Sequence, residues 1–305
     1  MAAELTVRRA GPDDFPGVLD LARRALGWTD DDAGFLEWKH LENPFGVSPM
    51  WIALDAYRIV GFRTFLRWDF VTTRGDTVLA ARAVDTATDP DHQGRGIFTP
   101  PNEKSLPGYL KMGWHELGRL GVVVKPSSTR FVVVIATARR AAGRWPLATV
   151  AGTSPADAFA DRSALQTLLE SLPRADGLAT RRTPEFLAWR YGYEPLGYRV
   201  VLRGDSPADG LAVFRRRRRG KAVEGVLCEL LAPEGDARAT AELLRQVDQA
   251  ADADYLIQLH KKLVTRGPFV RLPRVGPVLA CRPLDASPAL ELPGWALTMG
   301  DVELF

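Results

Sequence analysis

The decapeptide Thr88-Asp89-Pro90-Asp91-His92-Gln93-Gly94-Arg95-Gly96-Ile97 follows a strand-like run of residues and decides how the chain is interpreted. Its two glycines permit positive φ angles and a close approach of the backbone to a ligand. Successive amide N–H groups in such a loop converge on an anion, as they do in phosphate-binding loops. The segment has neither the GxGxxG spacing of dinucleotide-binding loops nor the Gly-Lys-Ser/Thr of a Walker loop. On these grounds alone, a phosphate-binding loop and a purely structural turn are equally open.

A second motif lies downstream, where residues 102–114 combine Asn-x-x-Ser with Tyr-x-x-x-Gly-aromatic. The strand, the Pro-x-x-Gln-Gly-x-Gly-Ile loop and this second motif, in that order, resemble the acyl-CoA-binding segments of the GNAT superfamily of N-acetyltransferases. The resemblance spans about Leu5 to Pro126. It implies a twisted mixed sheet that splays at its middle strands and holds acyl-CoA in the cleft.

The resemblance implies a role for each matching residue, with acetyl-CoA as the co-substrate. Backbone groups of Ala87 and Thr88 would pair with the pantetheine arm as an added strand. The loop would hold the pyrophosphate through Gln93, Gly94, Arg95, Gly96 and Ile97. Asn102 would contact the cofactor near its thioester. Tyr109 would protonate the departing thiolate, since a phenol with a pKa of about 10 suits an acid at neutral pH; its structural alternative is a packed helix tyrosine.

The general base, which takes a proton from the amine before it attacks, has two candidates. Asp85 precedes the end of the cofactor strand, although capping, or pairing with Arg82, is the better expectation for its carboxylate. The second candidate comes from a looser resemblance to the tandem acetyltransferases of the "enhanced intracellular survival" type. In those enzymes the terminal carboxylate can reach the active site, which makes Phe305 a catalytic candidate.

An internal duplication organises the chain. Residues 35–46 and 186–197 are identical at five of twelve positions without a gap, and every pair lies 151 positions apart (186 − 35). We therefore expect an N-terminal domain, residues 1–146, that carries the acyl-CoA loop, and a degenerate C-terminal repeat, residues 156–305. The expected fold class is α/β (α+β), with two GNAT-like mixed twisted sheets flanked by helices.

The first copy departs from the family pattern after its loop. A helix of three to four turns and a strand would need roughly 20 to 25 residues, but only Phe98-Thr99-Pro100 precedes Pro101-Asn102. Two consecutive prolines stop a helix that starts at Phe98. The first copy is thus expected to lack its cofactor helix and a central strand. The second copy keeps a helix at Ala237–Ala251 and a strand at Tyr255–Leu259, but two carboxylates in its loop, 232–236, would repel phosphate.

Composition limits the remaining function classes. The 305 residues are 46% hydrophobic and 25% charged, which is typical of soluble proteins. The longest apolar run, 131–138, is far shorter than the roughly 18 residues of a membrane span, and the N-terminus does not resemble a signal peptide. A cytoplasmic protein without a membrane partner is expected. Cys228 and Cys281 lack metal-ligand spacing, so no metal site is expected.

The five arginines from Arg215 to Arg219 are the one concentrated basic feature. A strand alternates its faces, so a hairpin here would place charge in solvent on both sides, and we favour this over a nucleic-acid patch. The sequence as a whole predicts an N-acetyltransferase that moves an acetyl group from acetyl-CoA to an amine of a small molecule or peptide by direct attack. The alternative is an inactive acetyltransferase-fold binding module, because neither half alone carries a complete acyl-CoA site.

Overall fold

The computed structural model describes residues 5–29, 32–92, 106–134, 142–148, 151–260, 269–272, 275–284 and 291–302. The chain divides into two compact units. The smaller comprises Met1–Phe70, Thr77–Glu116 and Ala280–Ala289, and the larger comprises Val71–Asp76, Leu117–Leu279 and Leu290–Phe305. The expected domains, 1–146 and 156–305, stay a prediction.

The smaller unit carries a sheet of four neighbouring strands. These strands are β1 (Thr6–Arg9), β2 (Met50–Asp55), β3 (Arg58–Val71) and β4 (Thr77–Thr88), in that spatial order. Helices α1 (Phe15–Leu26) and α2 (Asp32–His40) connect β1 to β2, and α3 (Leu106–Lys111) follows β4. β2 is antiparallel to both β1 and β3. The sequence predicts each of these strands and the two longer helices to within a few residues, except that β3 continues well beyond Phe65.

Helix α1 shows why the prediction works in this unit. Its apolar residues Val18, Leu21 and Ala22 recur at helical spacing and are fully buried. Gly27 ends the helix in a left-handed conformation, with φ at 70°, and its amide donates to the carbonyl of Arg23 at 3.1 Å. Such a conformation favours glycine because other residues meet a steric penalty there.

β4 is the last strand of this sheet among the described residues. A 3-10 turn at Pro90–His92 follows it, and α3, six residues long, is the next α-helix among the described residues. The expected loss of a cofactor helix and a central strand stays a prediction. The loop residues Gln93–Ile97 and Asn102 lie outside the described residues.

The larger unit is built on a second mixed sheet. The central order is β13 (Val270–Leu272), β6 (Val122–Pro126), β12 (Tyr255–Leu259), β11 (Ala222–Leu231) and β10 (Leu211–Arg219), and both β7 (Ala142–Pro146) and β9 (Arg199–Leu202) pair with β10. β11 and β12 run parallel and are joined by α8 (Ala237–Ala251), whereas the other pairs are antiparallel. The bounds of α8 and β12 are those predicted.

The other elements are short or lie around this sheet. They are β5 (His115–Arg119), α4 (Phe131–Val134), α5 (Pro155–Ala158), α6 (Arg162–Ser171), β8 (Ala179–Thr180), α7 (Pro184–Gly192), β14 (Val278–Cys281) and α9 (Met299–Val302). The core of the sheet packs Ala212, Phe214 and Leu227 against the inner face of α8. None of the described helices is both long and apolar enough to cross a bilayer.

The arginine run corrects one expectation. Arg215–Arg219 does form one strand of the β10–β11 hairpin, but its charges are not all splayed into solvent. Arg215 is fully buried, and Arg217 and Arg219 both donate to the buried carboxylate of Glu224, at 2.8 and 2.7 Å. Alternate residues of a strand share a face, and Glu224 lies directly opposite Arg217 on β11. One face of the run is therefore neutralised by the neighbouring strand.

Candidate active site

A buried charged cluster surrounds Asp85 near the end of β4. Its Oδ2 lies 2.7 Å from Lys39 Nζ and 2.8 Å from His40 Nε2, and Lys39 and His40 are almost fully buried. Both partners come from the last turn of α2. Sequence reasoning did not foresee these two partners, because α2 is distant in sequence and packs its basic residues against this carboxylate.

The cluster fixes the charge state of its acidic member. Burial alone would raise the pKa of Asp85, but the Lys39 ammonium and the His40 ring outweigh it and hold that pKa well below its usual range. Asp85 also adopts a left-handed conformation, with φ at 43°. A non-glycine residue seldom accepts this conformation without compensating contacts. The two basic partners supply such contacts.

His40 is the least solvated titratable group of the cluster. Burial lowers its pKa, although Asp85 acts in the opposite direction. The neutral ring therefore donates its Nε2–H to Asp85. Within the described part of the chain, His40 Nδ1 has no hydrogen-bond partner.

Tyr109 lies on α3 and is 1% exposed. Its hydroxyl oxygen is 2.5 Å from Arg63 Nη2 on β3, and its ring packs edge-on against Trp114 with centroids 5.1 Å apart. Burial raises the pKa of Tyr109, and Arg63 offsets part of that rise. Tyr109 is thus a packed tyrosine whose one polar atom is held by a cation.

The start of the loop is anchored by a second charged cluster. Asp89, 1% exposed, accepts hydrogen bonds from Arg58 Nη2 at 2.6 Å, from Arg24 and from the amide of Asp91 at 3.1 Å. His92 Nε2 lies 3.0 Å from Asp55 Oδ2. These contacts tie the first residues of the loop to α1, β2 and β3. A cavity of about 330 Å³ borders Arg24 and Arg58, but neither Asp85 nor Tyr109 lines it.

A family comparison covers this whole region. The model of the acetyltransferase (GNAT) domain matches residues 6–114, which include β4, the loop, α3 and Tyr109. Residues 6–114 thus match the model of a GNAT acetyltransferase domain, and we refer to them as the GNAT domain. This match agrees with the family and with the acyltransferase class predicted from the two motifs.

Solved structures extend the likeness in fold beyond this GNAT domain. A GCN5-related N-acetyltransferase from Kribbella flavida has a TM-score of 0.51 at 15% identity, covering 85% of this chain and 64% of its own. Another from Anabaena variabilis has a TM-score of 0.59 at 12% identity, covering 90% and 71%. A protein from Enterococcus faecalis, described as a probable N-acyltransferase, has a TM-score of 0.50 at 10% identity, covering 91% and 72%. The chain thus spans about two thirds of the length of the proteins it resembles. No curated protein matches the sequence.

The larger unit repeats part of the Asp85 arrangement with different residues. Arg190 and Tyr191 of α7 stand 151 positions after Lys39 and His40. Tyr191 donates to the buried carboxylate of Glu229 on β11 at 2.9 Å, as His40 donates to Asp85 on β4. In each unit, the end of the duplicated helix therefore binds an acid on the strand that precedes the loop.

The loop of the larger unit places one of its own carboxylates at the N-terminus of α8. Asp236 accepts the amide of Ala239 at 2.8 Å, which caps α8, and its other oxygen binds Arg203 at 2.5 Å. Free amides at a helix N-terminus are what attract a phosphate. Here a side chain of the protein itself occupies them.

The predicted site residues are therefore placed only in part. Ala87 is buried and Thr88 is half-buried at the end of β4, and Tyr109 is on α3. Gln93, Gly94, Arg95, Gly96, Ile97, Asn102 and Phe305 lie outside the described residues, and their roles stay predictions. Sequence reasoning missed Lys39, His40 and Arg63. Arg63 had a signal, because it interrupts the apolar run of β3; the two helix residues had none that pointed to Asp85.

Proposed function

We propose that the chain transfers an acetyl group from acetyl-CoA to an amine of a small molecule or peptide. The observation that carries this proposal is the placement of Tyr109 within the GNAT domain. Its buried hydroxyl is held by β3, the strand beside β4, and β4 leads into the glycine-rich loop. An acid close to the end of β4 is what the departure of a thiolate requires.

The proposed roles follow the direction of the reaction. The outer edge of β4 pairs with no other strand among the described residues, so the backbone of Ala87 and Thr88 is available to an extended pantetheine arm. The loop residues Gln93–Ile97 would bind the pyrophosphate, and Asn102 would lie near the thioester. The neutral amine attacks the thioester carbonyl, a C–N bond forms and the C–S bond breaks. Tyr109 gives its proton to the thiolate sulfur, and the amine nitrogen releases one proton to the solvent.

Asp85 does not suit the role of general base. Its Oδ2 already accepts from Lys39 and His40, and its pKa is held below the usual range. A base works best when its pKa lies near the operating pH. We propose instead that the Asp85 cluster fixes the left-handed turn of β4 from which the cofactor-binding end of the strand extends.

The second candidate function is a binding module without catalytic activity. The specific observation in its favour is that β4 is an edge strand among the described residues. If a central strand and its covering helix were present, each Å² of apolar surface that they bury would stabilise the domain by about 25 cal/mol. The amides at the start of that helix would also attract the pyrophosphate.

Calorimetric titration with acetyl-CoA separates the two functions. The enzyme is expected to bind with a Kd on the order of micromolar, about −8 kcal/mol. Replacing Gly94 and Gly96 together with alanine should abolish the binding heat, because both would crowd the pyrophosphate. Gly192→Ala is the matched control, since a Cβ there meets nothing within 4 Å. Absence of heat in the wild-type protein would support the binding module.

Two broader statements belong to the same proposal. The hydrogen bond from His40 to Asp85 at the end of α2, and that from Tyr191 to Glu229 at the end of α7, support two homologous copies in tandem. A tandem enzyme that uses acetyl-CoA would act in the cytoplasm, where this co-substrate is made available. Accumulation of the tagged protein in another compartment would contradict that location.

A further inference from the structure

Arg63 and Tyr109 form a pair whose hydrogen-bond direction is fixed by chemistry. A guanidinium group has only donors, so at the 2.5 Å contact the oxygen of Tyr109 must be the acceptor. The hydroxyl hydrogen therefore points away from Arg63. The Tyr109 hydroxyl is therefore free to donate its hydrogen to an acceptor other than Arg63.

From this geometry we infer that Arg63 is the positioning residue that makes Tyr109 a proton donor and stabilises the tyrosinate left after donation. The inference rests on the proposed acetyl transfer. When the C–S bond breaks, the Tyr109 O–H bond breaks and an S–H bond forms. The tyrosinate then remains paired with the guanidinium until it regains a proton from the pool to which the amine has lost one.

The surroundings of Arg63 keep it in place before the reaction. Its guanidinium carbon lies 5.1 Å from the centroid of the Phe65 ring and 5.1 Å from that of Tyr109. The phenol ring also packs against Trp114, with the ring centroids 5.1 Å apart. A cation held between two aromatic rings loses little freedom when its partner becomes charged. Such fixed charges lower the cost of charge that develops during a reaction.

The same site shows why a counter-charge is needed. Tyr109 is 1% exposed, so water does not solvate a tyrosinate there. Burial opposes the charged form of a phenol. A permanently charged guanidinium supplies the compensation at every pH at which the enzyme works.

The first test compares Arg63→Gln, Arg63→Lys and Tyr109→Phe in steady-state kinetics. R63Q keeps a donor but loses the charge, and we expect kcat to fall about 10- to 100-fold, the range for a lost charged hydrogen bond, with the KM for acetyl-CoA little changed. R63K should recover part of kcat. Arg67→Gln is the matched control, because Arg67 lies on the same face of β3 and binds the carbonyl of Val47.

The pH profile and the double variant exclude a merely structural role. Loss of the cation should move the alkaline limb of kcat to higher pH, because the phenol then holds its proton more tightly. Adding R63Q to Y109F should cost no further activity, since Arg63 acts only through Tyr109. Additive losses with an unshifted limb would overturn the inference.

A measurement without turnover keeps this inference separate from the proposed function. With ¹³Cζ-labelled tyrosine, the NMR signal that disappears in Y109F belongs to Tyr109. In R63Q its titration should begin at higher pH than in the wild type and in R67Q. If the wild-type protein neither binds nor uses acetyl-CoA while this shift is seen, the proposed function fails and the electrostatic pairing stands. An unchanged titration overturns the pairing.

Discussion

Two aspartates near the end of β4 are buried and kept ionised by basic residues from elsewhere in the GNAT domain. Asp85 is paired with Lys39 and His40, and Asp89 with Arg24 and Arg58. An uncompensated charge in such places would cost several kcal/mol. The conformation of the chain where β4 ends and the loop begins is therefore stabilised by ion pairs as well as by apolar packing.

The Asp85 cluster predicts that stability falls on acidification. The pKa of His40 is lowered in the folded state, so below about pH 6.5 the unfolded chain takes up a proton that the folded chain resists. The pKa of Asp85 is also lowered, so its contribution is present above its unfolded value of about 3.8 and is lost as pH falls further. Both effects have the same sign. Urea unfolding between pH 7 and about pH 3 should show that the free energy of unfolding declines as the pH falls.

His40→Gln is the control for this prediction. An amide at this position can still donate to Asp85 but does not titrate, so the decline between pH 6.5 and 5 should become shallower. The decline below pH 4 should persist, because it belongs to Asp85. A His40→Gln variant with an unchanged slope above pH 5 would contradict the assignment of that window to His40.

At the scale of elements, the sequence predicts what depends on local signals. α8 is delimited by Asp236, which caps it, and by the end of its apolar stripe, so its bounds could be read directly. The GNAT family was likewise recognised from two motifs that lie within residues 6–114. The partners of Asp85 depended instead on how α2 packs against β4. No periodicity encodes a contact across 45 positions of sequence.

The duplicated helix α7 offers a prediction about its local signal. Thr183 caps this helix, because its hydroxyl accepts the amide of Phe186 at 3.1 Å. Thr183→Ala should lower the free energy of unfolding by about 1 kcal/mol, the usual cost of losing such a cap. Thr183→Ser, which keeps the hydroxyl, should lose much less. Chemical denaturation of the three proteins measures the difference, and equal losses in both variants would show that packing of the methyl group matters rather than the cap.

At the scale of the whole molecule, the two units carry different features. The GNAT domain carries the glycine-rich loop and Tyr109, whereas the larger unit carries the helix and strand, α8 and β12, that the first copy was expected to lack. In the larger unit, the chain from Thr298 to Asp301 is buried and packs against the hydrogen-bonded pair of Tyr191 and Glu229. A Cβ on Gly300 would lie 2.1 Å from the Tyr191 hydroxyl, so only glycine fits there.

Arg182 holds the segment from Thr298 to Asp301 in place against the rest of the larger unit. It binds Glu229 at 3.0 Å and Asp301 at 3.2 Å, and both carboxylates are almost fully buried. Burial would lower the pKa of Arg182, but the two carboxylates raise it above its ordinary value, so the guanidinium stays charged at all working pH values. Arg182→Met would leave two buried carboxylates without this cation. Removal of one partner from a buried ion pair costs about 3 to 5 kcal/mol.

We therefore expect Arg182→Met to unfold at markedly lower urea concentration and to be cleaved by protease within residues 291–302. Arg182→Lys, which keeps the charge, should lose less, and adding Glu229→Gln to Arg182→Met should recover part of the loss by removing one unpaired carboxylate. Binding of acetyl-CoA, measured where the variant is still folded, should be unchanged, because the proposed cofactor residues all belong to the GNAT domain. A folded Arg182→Met protein with wild-type stability would show that the C-terminal segment is held by its apolar contacts instead. Loss of acetyl-CoA binding in that folded variant would contradict the assignment of the cofactor to the first copy.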